Sequence, residues 1–255
     1  MSLPAGRVLP VSLPRRIVCD LMHFSLKIPT VTIGRVMPLA EVAQARQQAS
    51  PRPSWCAIFT KAYALAAAGH PELRRSFLSF PRPRLYECAC NIAAIVVERR
   101  LDTEDTLLLA PLVSPENQSL QELDGHLRGY RERPVTSVGA FRRALRIARL
   151  PRPLRRLLWW IGFNVSGRQR AQYFGTFGVT TVAGEGADSL RPLSPWTTLL
   201  HYGVIDKQGI VNMRLTFDHR VLDGTIPARV LAEMETALKG PILSELRLSA
   251  TGKAA

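Results

Sequence analysis

Residues 215–224 read Leu-Thr-Phe-Asp-His-Arg-Val-Leu-Asp-Gly, which places a histidine at the end of an apparent strand and an aspartate four residues later. A neutral imidazole is an effective general base near pH 7, and a nearby carboxylate can orient it and stabilise the cation that forms on protonation. Gly224 allows a tight turn before a helical pattern begins at Pro227. A histidine and an aspartate at this spacing are more often ordinary turn residues, so the interpretation depends on the surrounding sequence.

Two other segments support a catalytic interpretation of Asp218–Gly224. Residues 15–18 read Arg-Arg-Ile-Val and lead to an Ile-Pro pair at 28–29, and residues 175–180 read Gly-Thr-Phe-Gly-Val-Thr. In this order the three segments resemble the catalytic domain of the acyltransferase component of 2-oxo acid dehydrogenase complexes. That family shares its fold with chloramphenicol acetyltransferase, so the resemblance implies an α/β (α+β) fold with a mixed β-sheet covered by helices.

The resemblance implies a role for each residue of the motif. His219 is the expected general base, Asp223 orients the active-site loop, and Thr180 donates a hydrogen bond to the oxyanion. The neighbours that support the catalytic loop are Asp218, Arg220 and Gly224.

Three departures from the family's pattern bear on the substrate more than on the reaction. Thr180 stands where the dehydrogenase enzymes usually have serine, and it keeps the hydroxyl while adding a methyl group. Thr30 stands where the family has a histidine after the Ile-Pro pair, and residues 107–112 replace its apolar, Pro-rich strand.

The expected reaction transfers an acyl group between a thioester and a thiol, hydroxyl or amine acceptor. The thioester is coenzyme A-bound, or it is carried on a lipoyl or phosphopantetheine arm of another protein such as an acyl carrier protein. The motifs begin near residue 13 without a preceding lipoyl or subunit-binding domain, so we expect a stand-alone catalytic domain. The family arrangement implies a homotrimer or a higher multiple, with no metal.

Two alternatives remain open. A catalytically silent scaffold, or a membrane-docked assembly protein, would have no reason to keep His219, Asp223 and a hydroxyl at residue 180 together. Amide-forming condensation domains share the fold and the His-x-x-x-Asp-Gly loop, but they usually carry a second histidine where this chain has Asp218.

Composition is typical of one large soluble domain, with 46% hydrophobic residues among 255. We expect an N-terminal arm at 1–12, a catalytic domain at 13–240, and a tail at 241–255 that is flexible at its end. The four cysteines lack Cys-x-x-Cys spacing and are expected to be buried thiols. No signal peptide or run of about 18 apolar residues is present, which predicts a cytoplasmic protein.

Periodicity predicts alternating strands and helices. Strands are expected at 30–37, 91–97, 106–112, 179–182, 197–205 and 210–217, and helices at 13–26, 41–48, 54–69, 119–131 and 227–238.

The formal net charge of +14 is concentrated in a basic helical insertion at about 139–170. Residues 141–170 contain nine arginines and no acidic residue, and their apolar pattern predicts two helices that are broken at Pro151-Arg152-Pro153. One interpretation is binding to an anionic membrane at its inner face. In the second, the apolar stripe packs on the protein and the arginines are solvated; in the third, some arginines bind coenzyme A phosphates or an acidic carrier. Nucleic acid is not expected, because no binding motif accompanies the charge.

Overall fold

The computed structural model describes residues 5–101 and 104–251. Its strands are β1 (Thr30–Pro38), β2 (Arg75–Leu78), β3 (Arg84–Glu87), β4 (Ile92–Leu101), β5 (Glu104–Val113), β6 (Phe177–Thr181), β7 (Thr198–Tyr202) and β8 (Ile210–Asp218). Its α-helices are α1 (Leu13–Ser25), α2 (Ala40–Gln48), α3 (Trp55–Ala68), α4 (Leu120–Glu132), α5 (Gly139–Ala148), α6 (Arg152–Asn164), α7 (Gly167–Phe174), α8 (Thr225–Ala237) and α9 (Leu243–Ala250).

The main sheet has six strands in the order β1-β8-β7-β6-β4-β5. Strand β6 is parallel to both β4 and β7, whereas the other neighbouring strands are antiparallel. Strands β2 and β3 form a separate antiparallel pair. The expected α/β class, a mixed sheet with helices, is therefore confirmed.

One face of the sheet forms the main core under α3. Alternate residues of β8 point to this face, and Met213, Leu215 and Phe217 are fully or almost fully buried there. Ser54 caps α3 by accepting a hydrogen bond from the backbone N–H of Ala57 at 3.2 Å, as the sequence predicted. The apolar helix α3 thus packs against the strands that precede the candidate site residues.

Several elements were not expected from the sequence: the β2–β3 pair, α7 and α9. Residues 241–250, which the sequence analysis assigned to the tail, continue from α8 through a π-helical turn into α9, and Leu243 and Leu246 are buried in the core. The packed domain therefore extends beyond residue 240. The end of the tail, 252–255, lies outside the described residues.

The cysteines do not all follow the expectation of buried thiols. Cys56 is buried, but Cys19 is exposed, and Cys88 and Cys90 are half-buried. Burial raises the pKa of Cys56 to about 11, so its thiol is protonated at neutral pH. In the part of the chain that the structure describes, no helix is both long enough and apolar enough to cross a membrane.

The basic insertion folds as α5, α6 and α7, and the expected break at Pro151 separates the first two. Its arginines are not all solvated. Arg155 is 8% exposed and is hydrogen-bonded to the fully buried carboxylate of Asp20 on α1, while Arg156 Nε lies 2.7 Å from Asp20 Oδ1. Arg170 is also buried. The interpretation in which the arginines form a solvated face is therefore wrong for these three residues.

The two adjacent tryptophans of the insertion also pack against the protein. Trp159 stacks on Phe24 at 6.3 Å between ring centroids, and Trp160 meets Phe80 edge-on at 5.4 Å. Exposed side chains remain on α5 and at the start of α6, namely Arg142, Arg146, Arg149, Arg152, Leu154 and Leu157. Binding of this surface to an anionic membrane stays a prediction.

The Asp20 ion pairs give a stability prediction. Asp20→Asn leaves two arginines without their buried counter-ion, which should lower the free energy of unfolding by about 3–5 kcal/mol. Glu41→Gln is the matched control, because Glu41 pairs with Arg247 at 3.2 Å on the surface and should contribute less than about 1 kcal/mol. Urea denaturation of both variants measures the difference, and equal losses would contradict the role of Asp20.

Candidate active site

His219 lies immediately after β8, where the loop is fixed by the backbone. Its N–H donates to the carbonyl of Pro29 at 3.0 Å, and the N–H of Leu222 donates back to the carbonyl of Asp218 at 3.1 Å. The imidazole packs edge-on against Phe217 with 5.8 Å between ring centroids, and the side chain is 48% exposed. The structure therefore presents this imidazole to solvent from a well-defined turn.

Asp218 stabilises the turn from the protein interior. Its carboxylate is fully buried and accepts hydrogen bonds from Arg220: from the backbone N–H at 3.0 Å, from Nε at 2.9 Å and from Nη2 at 2.7 Å. The Arg220 guanidinium also lies 4.5 Å from the ring centroid of Phe77. The two residues that flank His219 thus form an ion pair.

Arg170 supports the same region from the insertion. This buried residue donates hydrogen bonds to the carbonyls of Phe77 at 2.7 Å, Phe163 at 3.2 Å and Pro195 at 2.9 Å. Burial lowers its pKa to about 10, which leaves it charged at neutral pH, and the Asp218 carboxylate opposes that shift. Arg170, which the sequence grouped with the surface arginines, therefore joins α7 to β2 and to the segment before β7, close to the Asp218–Arg220 pair.

Asp223 is less engaged than its expected role implies. Its Oδ1 lies 3.6 Å from His219 Nδ1, which is longer than a hydrogen bond, and the aspartate side chain is 92% exposed. Gly224 follows it and precedes α8. Orientation of the loop by Asp223 stays a prediction.

Thr180 lies on β6, on the sheet face opposite α3. Its neighbour in register on β7 is His201. Two glycines are required at the start of this strand. Gly175 has a φ of 76°, and a Cβ at Gly178 would come within 2.7 Å of the Trp196 ring. The glycines at 175 and 178 therefore allow the strand that carries Thr180 to pack closely against its neighbours.

His201 is the buried neighbour of Thr180. Its Nδ1 lies 3.1 Å from the carbonyl oxygen of Ser189, and its Nε2 lies 3.1 Å from Oγ1 of Thr216. Burial lowers the pKa of His201 to about 4, and the guanidinium of Arg214 acts in the same direction. The ring is therefore neutral at pH 7 and joins the Ser189 carbonyl to the Thr216 hydroxyl.

Thr180 and His219 lie at opposite ends of the sheet within one chain. Thr180 is in register with His201, which pairs with Arg214 on β8, and His219 comes five residues after Arg214 (219 − 214). Five residues of strand span roughly 17 Å, so the two side chains cannot act on one bond within a single chain. The other predicted residues, Asp218, Arg220, Asp223 and Gly224, all lie with His219.

A large apolar cavity lies on the Thr180 side. It has a volume of 860 Å³ and is lined by residues of α1, α5, α6, α7 and β5, together with Trp196 and Thr180. The motifs of the sequence did not predict this cavity. The residues that could have indicated it are small ones that interrupt the apolar pattern of the insertion, namely Gly139, Ala140, Ala144 and Gly162.

Comparison with solved structures places the fold. The probable dihydrolipoamide acetyltransferase of Listeria monocytogenes has a TM-score of 0.66 and 16% identity, covering 92% of this chain and 94% of that one. The dihydrolipoamide acetyltransferase of Azotobacter vinelandii has a TM-score of 0.67 and 17% identity, covering 95% and 94%. The fold is that of a dihydrolipoamide acetyltransferase catalytic core.

A third solved structure agrees, the truncated catalytic core of the 2-oxoacid dehydrogenase multienzyme complex from Thermoplasma acidophilum. Its TM-score is 0.66 at 16% identity, over 92% of this chain and 99% of that one. No protein-family model and no curated protein matches the sequence. At these identities the likeness to acetyltransferase cores establishes the fold.

The buried His201 gives a pH prediction. Because the pKa of His201 is about 4 in the folded protein against an ordinary value of 6.5, the unfolded chain binds an extra proton between these values. Stability is therefore lost as the pH falls from 6.5 towards 4, by as much as about 1.4 kcal/mol per pH unit from this residue. Urea denaturation across this range should show a shallower pH dependence for His201→Gln than for the wild type. If the stability of both proteins changed equally with pH, the lowered pKa of His201 would be contradicted.

Proposed function

We propose that this protein is an acyltransferase that moves an acyl group from a thioester to a thiol, hydroxyl or amine acceptor. The observation that carries the proposal is the solvent-facing His219, held by the buried Asp218–Arg220 ion pair in the fold of a dihydrolipoamide acetyltransferase core. The Azotobacter vinelandii enzyme was studied for the catalytic roles of a serine, a histidine and an asparagine, the last two separated by four residues. His219 and Asp223 have the same spacing here.

In the proposed reaction His219 removes the proton from the acceptor, which attacks the thioester carbonyl. The carbonyl oxygen becomes an oxyanion and accepts a hydrogen bond from Thr180, a type of contact that is worth about 3–4 kcal/mol. When the tetrahedral intermediate collapses, the carbon–sulfur bond breaks and the protonated imidazole returns the proton to the leaving thiolate. No covalent acyl-enzyme is needed.

We also propose that the site forms between two copies of the chain in a trimer or a higher multiple. The support is the distance between Thr180 and His219 within one chain, which is too long for both to act on one substrate. A neighbouring chain could supply the His219 that lies beside Thr180. One of the similar structures is the cubic core of the pyruvate dehydrogenase multienzyme complex, with a TM-score of 0.64 and 17% identity. Assembly of that protein agrees with the proposal.

The thioester donor is proposed to be coenzyme A or a carrier-bound arm. Arg142 and Arg146 remain exposed on α5, the helix that lines the Thr180 cavity, and Arg149 is exposed directly after it. Their charge suits the phosphate of either donor, because guanidinium groups bind phosphate bidentately.

Substitutions of the two proposed catalytic residues should separate chemistry from folding. His219→Ala should abolish acyl transfer, and Thr180→Val should lower kcat about 100-fold or more through loss of the oxyanion hydrogen bond, while Thr180→Ser should stay active. Thiol release from a panel of acyl-coenzyme A and acyl-pantetheine thioesters measures these rates. Full activity of folded His219→Ala would refute the general-base role, and a wild type that is inactive on every thioester would favour the silent scaffold.

Subunit complementation tests the shared site. His219→Ala and Thr180→Val chains, each expected to retain about 1% of wild-type activity or less alone, are unfolded together and reassembled in equal amounts. If each site takes His219 and Thr180 from different chains, about a quarter of the sites in random oligomers contain both wild-type residues and activity returns. If both residues act within one chain, the mixture stays inactive, as does the control of each variant reassembled alone.

A further inference from the structure

We infer that the acyl group transferred by this protein is long and apolar, and that its chain occupies the cavity beside Thr180. This inference rests on the proposed function and names its substrate class. The cavity volume of 860 Å³ lies in the upper part of the range of about 300–1,000 Å³ for small-molecule sites. An acetyl group, with one methyl beyond its carbonyl, would leave nearly all of this space empty.

The lining is mostly apolar. Leu109 and Val96 from the sheet, Leu21 from α1, and Ile147 and Leu158 from the insertion all face the space. The space opens to solvent, since the lining residues Leu107, Leu158 and Leu193 are 39–49% exposed. An aliphatic chain would cover this apolar surface and remove it from water, whereas a charged or polar group would lose its solvation there.

Small residues of the insertion keep the cavity open. Gly139, Ala140 and Ala144 on α5 and Gly162 on α6 all line it. A Cβ added at Gly139 meets no atom within 4 Å, and one at Gly162 meets only Phe174 at 3.5 Å, which is an ordinary contact. Close approach of the backbones therefore does not require glycine at these positions. Larger side chains would occupy the space that the acyl chain needs.

The walls are held in place by fixed contacts. Trp159 contacts Phe24, Phe163 and Phe174 with ring centroids 5.2–6.3 Å apart, and this cluster closes one side. The buried carboxylate of Asp20 joins α6 to α1, two helices that both line the cavity. The space is thus a built feature of the insertion.

The polar residues of the lining define which end of the acyl group enters. Thr180 is on the sheet wall, while Arg143, Gln169 and Gln172 are exposed side chains of α5 and α7. The Arg143 guanidinium lies 4.5 Å from the ring centroid of Tyr173, which fixes it near the opening. With the carbonyl at Thr180, an extended chain passes into the apolar space and the thioester arm leaves past these polar groups.

Binding of stable analogues tests the inference without catalysis. The probes are ketones of the form pantetheine–S–CH2–CO–R, in which R is an ethyl, octyl or tetradecyl chain. The CH2 group makes them stable to hydrolysis, and their pantetheine part is the arm of both candidate donors. Titration calorimetry with the His219→Ala protein should show affinity rising by up to about fourfold for each added methylene until the cavity is filled. Equal affinity for the three chains would overturn the inference.

Two substitutions assign the effect to this cavity. Ala144→Phe narrows it and should lower the preference for the tetradecyl over the ethyl probe at least about tenfold, while Leu158→Ala widens it and should shift the preference towards longer chains. Ala250→Phe, an exposed position at the end of α9, is the matched control and should bind like the parent. Unchanged preference in both cavity variants, or an altered oligomeric state in Ala144→Phe without altered preference, would show that a neighbouring subunit fills the space.

The two proposals fail in different ways. Long-chain binding without any thioester turnover by the wild type would refute the acyltransferase and leave the cavity assignment standing. Turnover by the wild type with no preference among acetyl, octanoyl and myristoyl thioesters would refute the long-chain assignment and leave the acyltransferase standing.

Discussion

A fully buried carboxylate, that of Asp20, holds the insertion against the rest of the protein. The chain has 34 basic residues and 20 acidic ones, and the buried carboxylate of Asp20 pairs with two arginines of α6. A buried charge must be paired, and Arg155 and Arg156 come from a segment 135 residues or more along the chain. The ion pairs therefore determine which side of α6 faces α1.

The position of α6 determines two other features. With α6 against α1, Trp159 closes the aromatic cluster with Phe24, and the small residues of α5 and α6 face an open space instead of solvent. The following helix, α7, then brings Arg170 close to the Asp218–Arg220 pair, where it meets three backbone carbonyls. A single insertion thus builds the cavity on the Thr180 side and supports the turn on the His219 side.

Local patterns predicted much of this fold. Alternation in residues 210–217, the cap at Ser54 and the motif around His219 are short-range signals, and β8, α3 and the catalytic turn follow them. The β2–β3 pair could not be predicted in this way, because each strand has four residues and the pairing depends on contacts with α6 and α7. The burial of Arg155 and Arg170 depends on partners far along the chain. Charge alone gives no sign of those partners, and the surface interpretation therefore failed for them.

The placement of Thr180 shows what a motif can and cannot determine. Gly175 and Gly178 explain why the strand needs its glycines, and the resemblance supplies the role of the hydroxyl, but neither says which His219 it serves. The strand register separates Thr180 from the His219 of the same chain, because a strand rises by about 3.4 Å per residue and five residues separate the two rows. The proposed site therefore pairs Thr180 with the His219 of a neighbouring chain. On that proposal each monomer exposes half of a site, which agrees with a half-exposed histidine and a largely exposed aspartate beside it. The cavity belongs to the half that carries Thr180, so on this arrangement the chain that selects the acyl group is not the chain that supplies the base.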